Sequence, residues 1–189
     1  MNGESRQRLQ KTSTGKSLAK SAVFVVLMIL AAYIKIPFFP VPLTFQTVVA
    51  VLAGLLLGPK YGTASIGVYV IMGLLGLPVF TGGGGIVYVV QVTFGYLIGF
   101  IFAAFVAGIF RGQGELKISR AIFAAIAGFF VNYLIGIPYF IMIWKYYLSN
   151  GGLREAVLTY NILYMPKDLV LSVLAAIIAQ RVNKVCLRD

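Results

Sequence analysis

The sequence predicts an all-α membrane protein, a bundle of six transmembrane helices with the N and C termini in the cytoplasm. Hydrophobic residues make up 60% of the 189 residues and charged residues only 11%, against about 25% charged residues in a typical soluble domain. This polar fraction is too small to cover a water-facing globule, so lipid is the expected solvent for most of the chain. Six apolar runs and an uneven distribution of basic residues give the helix count and the orientation.

The apolar runs are long enough, or nearly long enough, to cross a bilayer, which takes about 20 residues per helix. They lie at 18–36, 42–57, 61–77, 86–110, 118–147 and 159–182. A tight turn at Gly58 and Pro59 separates the short second and third runs. Pro138 removes a backbone hydrogen bond within the fifth run and is expected to kink it. The predicted organisation is a basic cytoplasmic segment at 1–17 and a single six-helix transmembrane domain at 18–189.

Basic residues are concentrated on one side of the predicted membrane. Lys and Arg accumulate in the cytoplasmic segments of membrane proteins. With the N terminus inside, twelve of the 16 Lys and Arg residues fall on the inner side and four on the outer side. The outer four are Lys35, Lys145, Arg154 and Lys167. Membrane topology therefore explains the net charge of +11 better than binding to nucleic acid does.

Residue types needed for common catalytic and metal chemistry are missing from the sequence. There is no histidine and one cysteine, Cys186, which excludes imidazole chemistry, an internal disulfide and a cysteine-only metal site. No P-loop motif is present either. The sequence therefore predicts a transport protein rather than an enzyme, with no cofactor and with any energy for transport supplied by a partner.

Asp168 is the sharpest candidate for a ligand-binding residue. It follows Pro166 and Lys167 near the outer end of the last apolar run, in a first helical turn that favours an anion. Ionisable groups at membrane depth are usually functional. The alternative is a helix cap beside water, with Lys167 extending to the interface. We predict that Lys167 and Asp168 both bind substrate.

Polar side chains inside the apolar runs are candidates for the same pocket. Asn132 and Tyr133 lie in the fifth run, where a buried amide needs a partner from a neighbouring helix or from a ligand. Gln91 in the fourth run is similar, and Tyr88 is predicted to lie one turn before it.

Tyr139 and the glycine-rich outer loop each have two interpretations. Tyr139 belongs either to the pocket or to an aromatic belt with the other aromatic residues at that end of the helix, Trp144, Tyr146 and Tyr147. The loop TGGGG at 81–85, with Gly84 as its candidate contact, lets a ligand approach the backbone closely or is a mobile connector.

Small residues open the first predicted helix, among them Ala19 and Ala22. Small side chains allow close helix packing, either inside the bundle or against a partner helix. The simplest interpretation of the basic segment before them is a disordered tail on anionic lipid.

Four stretches carry a family resemblance: IPFFPVPLTFQT at 36–47, LAGLLLGPKYG at 52–62, GLLGLPVF at 73–80 and GYLIGF at 95–100. In this order and spacing they resemble the BioY family of biotin transporters, the substrate-binding S components of energy-coupling factor (ECF) transporters. The match extends over about 18–182 and is most specific at 41–62. The stretch YLIGIPY at 133–139 is similar to the family's fifth-helix segment.

The resemblance implies a six-helix fold with a biotin pocket open to the outside, built from the last three helices and the outer loops. It implies a cytoplasmic-side module with a transmembrane scaffold subunit and two ATPase subunits, and an S component that topples in the membrane to release biotin inside. Ala19 and Ala22 would then contact the scaffold, although Val23 stands where the family's second small residue is expected.

The last helix departs from the family pattern, which places an Asp and then a Lys one turn later. Leu171 occupies that position here, and the Lys is Lys167, adjacent to Asp168. Adjacent residues point about 100° apart on a helix. Lys167 therefore meets the biotin carboxylate only if its long stem reaches round; otherwise Lys35 or Arg154 does so.

The neutral rings of biotin suit an apolar pocket with a few amide and hydroxyl partners. The candidates for these partners are Tyr88, Gln91, Asn132 and Tyr139. The alternatives are an S component for another vitamin such as riboflavin or thiamine, a solitary facilitator without ATPase partners, and a structural subunit that binds no ligand.

Overall fold

The structure is a computed structural model of a helical bundle. It describes the backbone of residues 3–36, 43–147, 152, 154, 157–162 and 164–186, and the side chains of these residues except at 3–14, 36, 159, 160 and 186. The described residues form α1 (Gly3–Tyr33), α2 (Gln46–Leu74), α3 (Phe94–Arg111), α4 (Ile118–Tyr146) and α5 (Met165–Cys186). Two short strands, β1 (Lys35–Ile36) and β2 (Leu43–Thr44), pair antiparallel. A 3-10 turn at Ile86–Val90 and a π-helical turn at Leu158–Ile162 precede α3 and α5.

Helix α2 is a helical hairpin rather than one straight rod. Gly58 has a φ of 78° and a ψ of 179°, outside the helical region, and Pro59 follows it. Gln46 Nε2 donates a hydrogen bond of 2.8 Å to Tyr69 Oη, although 23 residues of straight helix would separate them by about 35 Å. The arms at 46–57 and 59–74 therefore lie side by side and antiparallel, with the turn where the sequence predicts it.

Glycines allow the two arms and α3 to pack backbone against backbone. A Cβ atom at Gly62 would lie 2.6 Å from the carbonyl oxygen of Ala53 on the other arm. A Cβ atom at Gly108 of α3 would lie 2.5 Å from the nitrogen of Pro59. A larger side chain at either glycine would force the helices apart, so these glycines set the distance between the two arms of α2 and between α2 and α3.

Four helices of the described chain are long and apolar enough to cross a membrane. Their apolar segments are Gly15–Tyr33, Gln46–Leu74, Phe94–Arg111 and Ile118–Tyr146. Apolar side chains are exposed on the outside of the bundle, for example Leu134 on α4 and Val170 on α5, as a lipid-facing surface requires. The prediction of an all-α membrane bundle is confirmed, and the count of six crossings stays a prediction.

Element boundaries differ from the predicted ones in three places. Helix α1 begins at Gly3, so the basic segment that we expected to be a disordered tail is helical over its described part. The predicted fourth helix at 86–110 divides into the 3-10 turn and α3, which begins at Phe94. The start of the last run lies in the π-helical turn, and α5 begins at Met165. Helix α4 continues through Pro138. The first part of the family motif, at 37–42, lies outside the described residues.

The two ends of the bundle differ in construction. The end that carries β1, β2, the loop at 75–85 and the 3-10 turn is called the strand end here. There Tyr33 Oη donates to the carbonyl oxygen of Pro78, and Lys35 Nζ donates to that of Thr81. The opposite end, called the hairpin end, contains the Gly58 turn and the α3–α4 loop, whose Leu116 N–H donates to Asn183 Oδ1 at 3.0 Å.

Candidate ligand-binding site

A cavity of about 60 Å³ lies between the helices at the strand end. Its walls combine apolar and aromatic side chains with a few polar ones, which is typical of a small-molecule site. The lining residues come from every described helix except α1: Leu43, Thr44, Gln46, Thr47, Thr81, Tyr88, Thr93, Tyr96, Leu97, Phe100, Asn132, Tyr133, Tyr164, Lys167 and Asp168.

An ion pair forms part of the cavity wall. Lys167 Nζ lies 2.7 Å from Asp168 Oδ1 and donates a hydrogen bond of 2.9 Å to the carbonyl oxygen of Thr44. The lysine stem thus reaches round the first turn of α5 to its neighbour. An ammonium group carries three N–H donors, so one donor remains for a ligand oxygen in the cavity.

The other oxygen of the Asp168 carboxylate is held by two hydroxyl groups. Tyr133 Oη donates to Asp168 Oδ2 at 2.8 Å, and Thr47 Oγ1 donates to the same oxygen at 3.3 Å. Asp168 is 8% exposed, and a charge this deeply buried needs such partners. Since α2, α4 and α5 all contribute to its environment, the carboxylate holds the Lys167 ammonium in a fixed position at the cavity.

Asn132 presents an unpartnered acceptor in the cavity wall. Its side chain is 1% exposed, and its Oδ1 atom accepts no hydrogen bond from the described residues. Gly99 makes room for the amide, because a Cβ atom there would lie 2.3 Å from Asn132 Oδ1. Leaving a buried polar atom without a partner costs about 1–3 kcal/mol. The oxygen faces α3 at Gly99, so a ligand N–H group would offset that cost only after the amide turns toward the cavity.

A second buried amide lies behind the wall. Asn161 of the π-helical turn is buried, and its Oδ1 atom accepts a hydrogen bond from the hydroxyl of Tyr96. Its Nδ2 group has no hydrogen-bond partner among the described residues. Tyr96 itself lines the cavity, so the Tyr96 hydroxyl joins the cavity to this amide.

Hydrogen bonds from α2 hold the loop at 75–85 in place at the cavity. Gln46 donates to Tyr69, whose hydroxyl donates in turn to the carbonyl oxygen of Val79 at 3.1 Å. Further along the chain, the hydroxyls of Thr81 and Tyr88 lie 2.9 Å apart. These contacts hold the loop at 75–85 and the 3-10 turn against the helices, which places Thr81 and Tyr88 in the cavity wall.

Of the eight substrate-binding residues predicted from the sequence, the structure brings five together. Tyr88, Asn132, Tyr133, Lys167 and Asp168 all line the cavity. Their contact with a substrate stays a prediction, but their convergence supports it.

Gly84, Gln91 and Tyr139 do not line the cavity. Gln91 is exposed just after the 3-10 turn. Gly84 packs so tightly that a Cβ atom would lie 2.1 Å from the carbonyl oxygen of Leu77. Tyr139 donates its hydroxyl to the carbonyl oxygen of Val89. Glycine at 84 is thus explained by packing, and Tyr139 by fixing the 3-10 turn to α4.

Among the candidate cations for a ligand carboxylate, Lys167 is the one that lines the cavity. Lys35 lies at the loop surface on Thr81, and Arg154 is exposed. Although adjacent residues point in different directions on a helix, the long stem of Lys167 brings its ammonium to Asp168 in the cavity wall.

Sequence reasoning missed several lining residues. Thr44, Gln46 and Thr47 come from the stretch LTFQT, and Tyr96 and Phe100 come from GYLIGF; both stretches carry the family resemblance. The available signal was three polar residues clustered at the start of the apolar run at 42–57, which a lipid-facing helix does not need.

The fold and the cavity define a multi-pass membrane protein with a small cavity between its helices at one end. The sequence matches the BioY family over residues 5–188, and the chain belongs to that family. The resemblance predicted from the four stretches is confirmed, and membership of a transporter family confirms the prediction of a transport protein rather than an enzyme.

Curated relatives cover nearly the whole chain. A probable biotin transporter BioY of Lysinibacillus sphaericus is 40% identical over 177 residues, 93% of this chain and 90% of the relative. The biotin transporter BioY of Thermotoga maritima is 36% identical over 170 residues, 89% of this chain and 96% of the relative.

Solved structures share the fold. The crystal structure of the S-component for biotin from an ECF-type ABC transporter matches with a TM-score of 0.75 and 29% identity, covering 92% of this chain and 93% of that one. The crystal structure of FolT bound with folic acid matches with a TM-score of 0.58 and 16% identity, covering 87% and 89%. The second likeness shows the fold alone.

Proposed function

We propose that this chain is the substrate-binding S component for biotin uptake, which captures biotin from outside and delivers it inward with an ATP-driven ECF module. The observation that carries the proposal is the Lys167–Asp168 ion pair in the wall of the same cavity as the unpartnered Asn132. The family, the named function of the curated relatives and the S-component structure support the choice of biotin over other vitamins.

The chemistry of biotin matches the groups in the wall. Its carboxylate needs a cation, and the free N–H donor of Lys167 supplies one. Its cyclic urea carries N–H donors, which suit the unpartnered Oδ1 atom of Asn132. Leu97 and Phe100 provide apolar surface for the rings. Asp168 orients the lysine, because a carboxylate free of cations would repel an anionic ligand.

The topology follows from counting the two arms of α2 separately. The helices then cross the membrane six times, so both termini lie on the same side. Eight described cations lie at the hairpin end: Lys16, Lys20, Lys60, Arg111, Lys117, Arg120, Arg181 and Lys184. The positive-inside rule makes this end cytoplasmic and opens the cavity to the outside.

The proposed partners are a transmembrane scaffold subunit and two ATPase subunits. Ala19 and Ala22 are exposed on α1, so small residues are available there for close contact with a scaffold helix. Their exposure supports the proposed role of Ala19 and Ala22 in partner binding.

The test is a calorimetric titration of biotin into purified protein from which bound ligand has been stripped, with riboflavin and thiamine as controls. We expect tight, saturable binding of biotin and no heat from the controls. Binding of a control vitamin in place of biotin would contradict the substrate. Biotin uptake into liposomes containing this chain alone would contradict the need for ATPase partners.

Lys167→Met tests the site within that experiment. A charge-assisted hydrogen bond contributes about 1.5–3 kcal/mol, so biotin affinity is expected to fall about 10- to 100-fold. Lys145→Met is the matched control, because Lys145 is exposed on α4 and lies outside the cavity. Equal losses in the two variants would mean that general charge, not this site, attracts biotin.

A further inference from the structure

The α3–α4 corner of the hairpin end carries cationic groups that form no ion pair with the described residues. Of the cations there, Arg111 is the one whose side chain is only partly exposed; the others described are exposed. Its Nε atom is buried and has no hydrogen-bond partner in the described chain. The ion pair found among the described residues, Lys167–Asp168, lies at the other end of the bundle. Glu115 of the α3–α4 loop is exposed and forms no ion pair either, so the partly buried Arg111 guanidinium has no compensating anion in contact within the described chain.

A second guanidinium borders the same turn of α3. Arg111 Nη1 lies 4.0 Å from the position of a Cβ atom at Gly58, which places its head at the hairpin turn. Arg120 Nη1 lies 2.8 Å from the Cβ position at Gly112, the residue after Arg111. One head thus lies at Gly58 and the other at Gly112, so both border the C-terminal end of α3. A guanidinium group is a planar donor array that binds phosphate in a bidentate way.

An exposed aromatic pair lies beside these guanidiniums. Phe110 precedes Arg111 on α3, and Phe123 lies three residues after Arg120 on α4. Their rings meet edge to face with centroids 5.2 Å apart, and they are 44% and 59% exposed. Residues three apart share a helix face, so apolar surface continues from the charged corner into the lipid-facing wall.

We infer that this corner binds the headgroup of an anionic phospholipid. Arg111 and Arg120 hold the phosphate, and Phe110 and Phe123 contact the start of an acyl chain. Phosphate chemistry alone would also fit a free phosphate ion; the aromatic pair assigns the phosphate to a lipid. The site is separate from the biotin cavity, so it is tested without biotin.

The experiment is thermal unfolding of the purified protein in detergent with three additions: phosphatidylglycerol, phosphatidylcholine with the same acyl chains, and inorganic phosphate. We expect phosphatidylglycerol to raise the melting temperature by about 2–4 °C and the other two to leave it unchanged. Arg111→Gln and Arg120→Gln are each expected to weaken the apparent lipid affinity about tenfold, the loss of one charge-assisted contact.

Arg181→Gln on α5 is the matched control, since it removes one exposed cation from the same end of the bundle. It is expected to keep the response of the unmodified protein. Equal weakening in Arg181→Gln would show a diffuse charge effect and overturn the site. Stabilisation by inorganic phosphate alone would overturn the lipid assignment. If Arg111→Gln does not fold, the exposed Arg120→Gln decides between these outcomes.

Discussion

Tyr133→Phe removes one hydroxyl from the Asp168 carboxylate and leaves the aromatic ring in place. The ring of Tyr133 packs against Phe129 and Tyr96, with centroids 4.9 and 5.6 Å away, and phenylalanine preserves these contacts. The variant therefore isolates the 2.8 Å hydrogen bond from Tyr133 Oη to Asp168 Oδ2.

The size of the effect follows from what remains at the carboxylate. A hydrogen bond to a charged group contributes about 1.5–3 kcal/mol. Asp168 Oδ2 keeps the bond from Thr47, and Oδ1 keeps the Lys167 ammonium, so the oxygen is not left without partners. We therefore expect a cost near the lower figure, which corresponds to about a tenfold loss of biotin affinity if the bond is needed to orient Lys167.

Biotin titration calorimetry measures this loss, and Tyr139→Phe is the matched control. The control makes the same chemical change on the same helix, but its hydroxyl donates to the carbonyl oxygen of Val89 and lies outside the cavity. Biotin affinity is expected to stay within about threefold in Tyr139→Phe. If the two variants lose affinity equally, or if Tyr139→Phe loses more, the Asp168 network does not position the lysine and the cavity is not the binding site.

Three further results are expected. Thr47→Val keeps the side-chain shape and removes a longer bond of 3.3 Å, so biotin affinity should fall by a few-fold, less than in Tyr133→Phe; a larger loss by calorimetry would reverse the assigned order. Gly108→Ala would place a Cβ atom 2.5 Å from the nitrogen of Pro59, whereas a Cβ atom at Gly67 meets no atom within 4 Å. Thermal unfolding should therefore show a loss of stability of about 1–3 kcal/mol for Gly108→Ala and no loss for Gly67→Ala. Equal melting temperatures of the two variants would refute the close packing. Biotin at a free concentration of 100 times its dissociation constant should add about 2.7 kcal/mol to the free energy of unfolding. Removing the biotin should remove this stabilisation; adding biotin back restores it, and adding riboflavin does not, in the same assay.

The helices were predictable from the sequence because lipid leaves few alternatives. An apolar run in a bilayer must satisfy its backbone hydrogen bonds internally, so run length and a glycine-proline turn at Gly58 were sufficient to predict the hairpin. The 3-10 turn was not predictable in this way, because its apolar residues continue the hydropathy of α3. Treating 86–110 as one helix placed Tyr88 and Gln91 on one face, whereas the turn buries Tyr88 and exposes Gln91.

The site was predictable only in part, because its contacts join distant positions. Asp168 was evident as an acid at membrane depth, but its partner Thr47 is 121 residues away. Without the packing of α2 against α5, a threonine in an apolar run has no distinguishing feature. Lys167 was difficult for a different reason: helix geometry separates adjacent residues, and only the flexible stem brings its ammonium to Asp168.

The attachment of the loop wall to α1 has a consequence for kinetics. Thr81 of the loop at 75–85 forms part of the cavity wall. One wall belongs to the loop at 75–85, which Tyr33 and Lys35 attach to the end of α1. A ligand that enters past this loop can do so only when these contacts break. The observed association rate is therefore expected to rise with biotin concentration and then level off at the rate of loop opening, well below the diffusion limit.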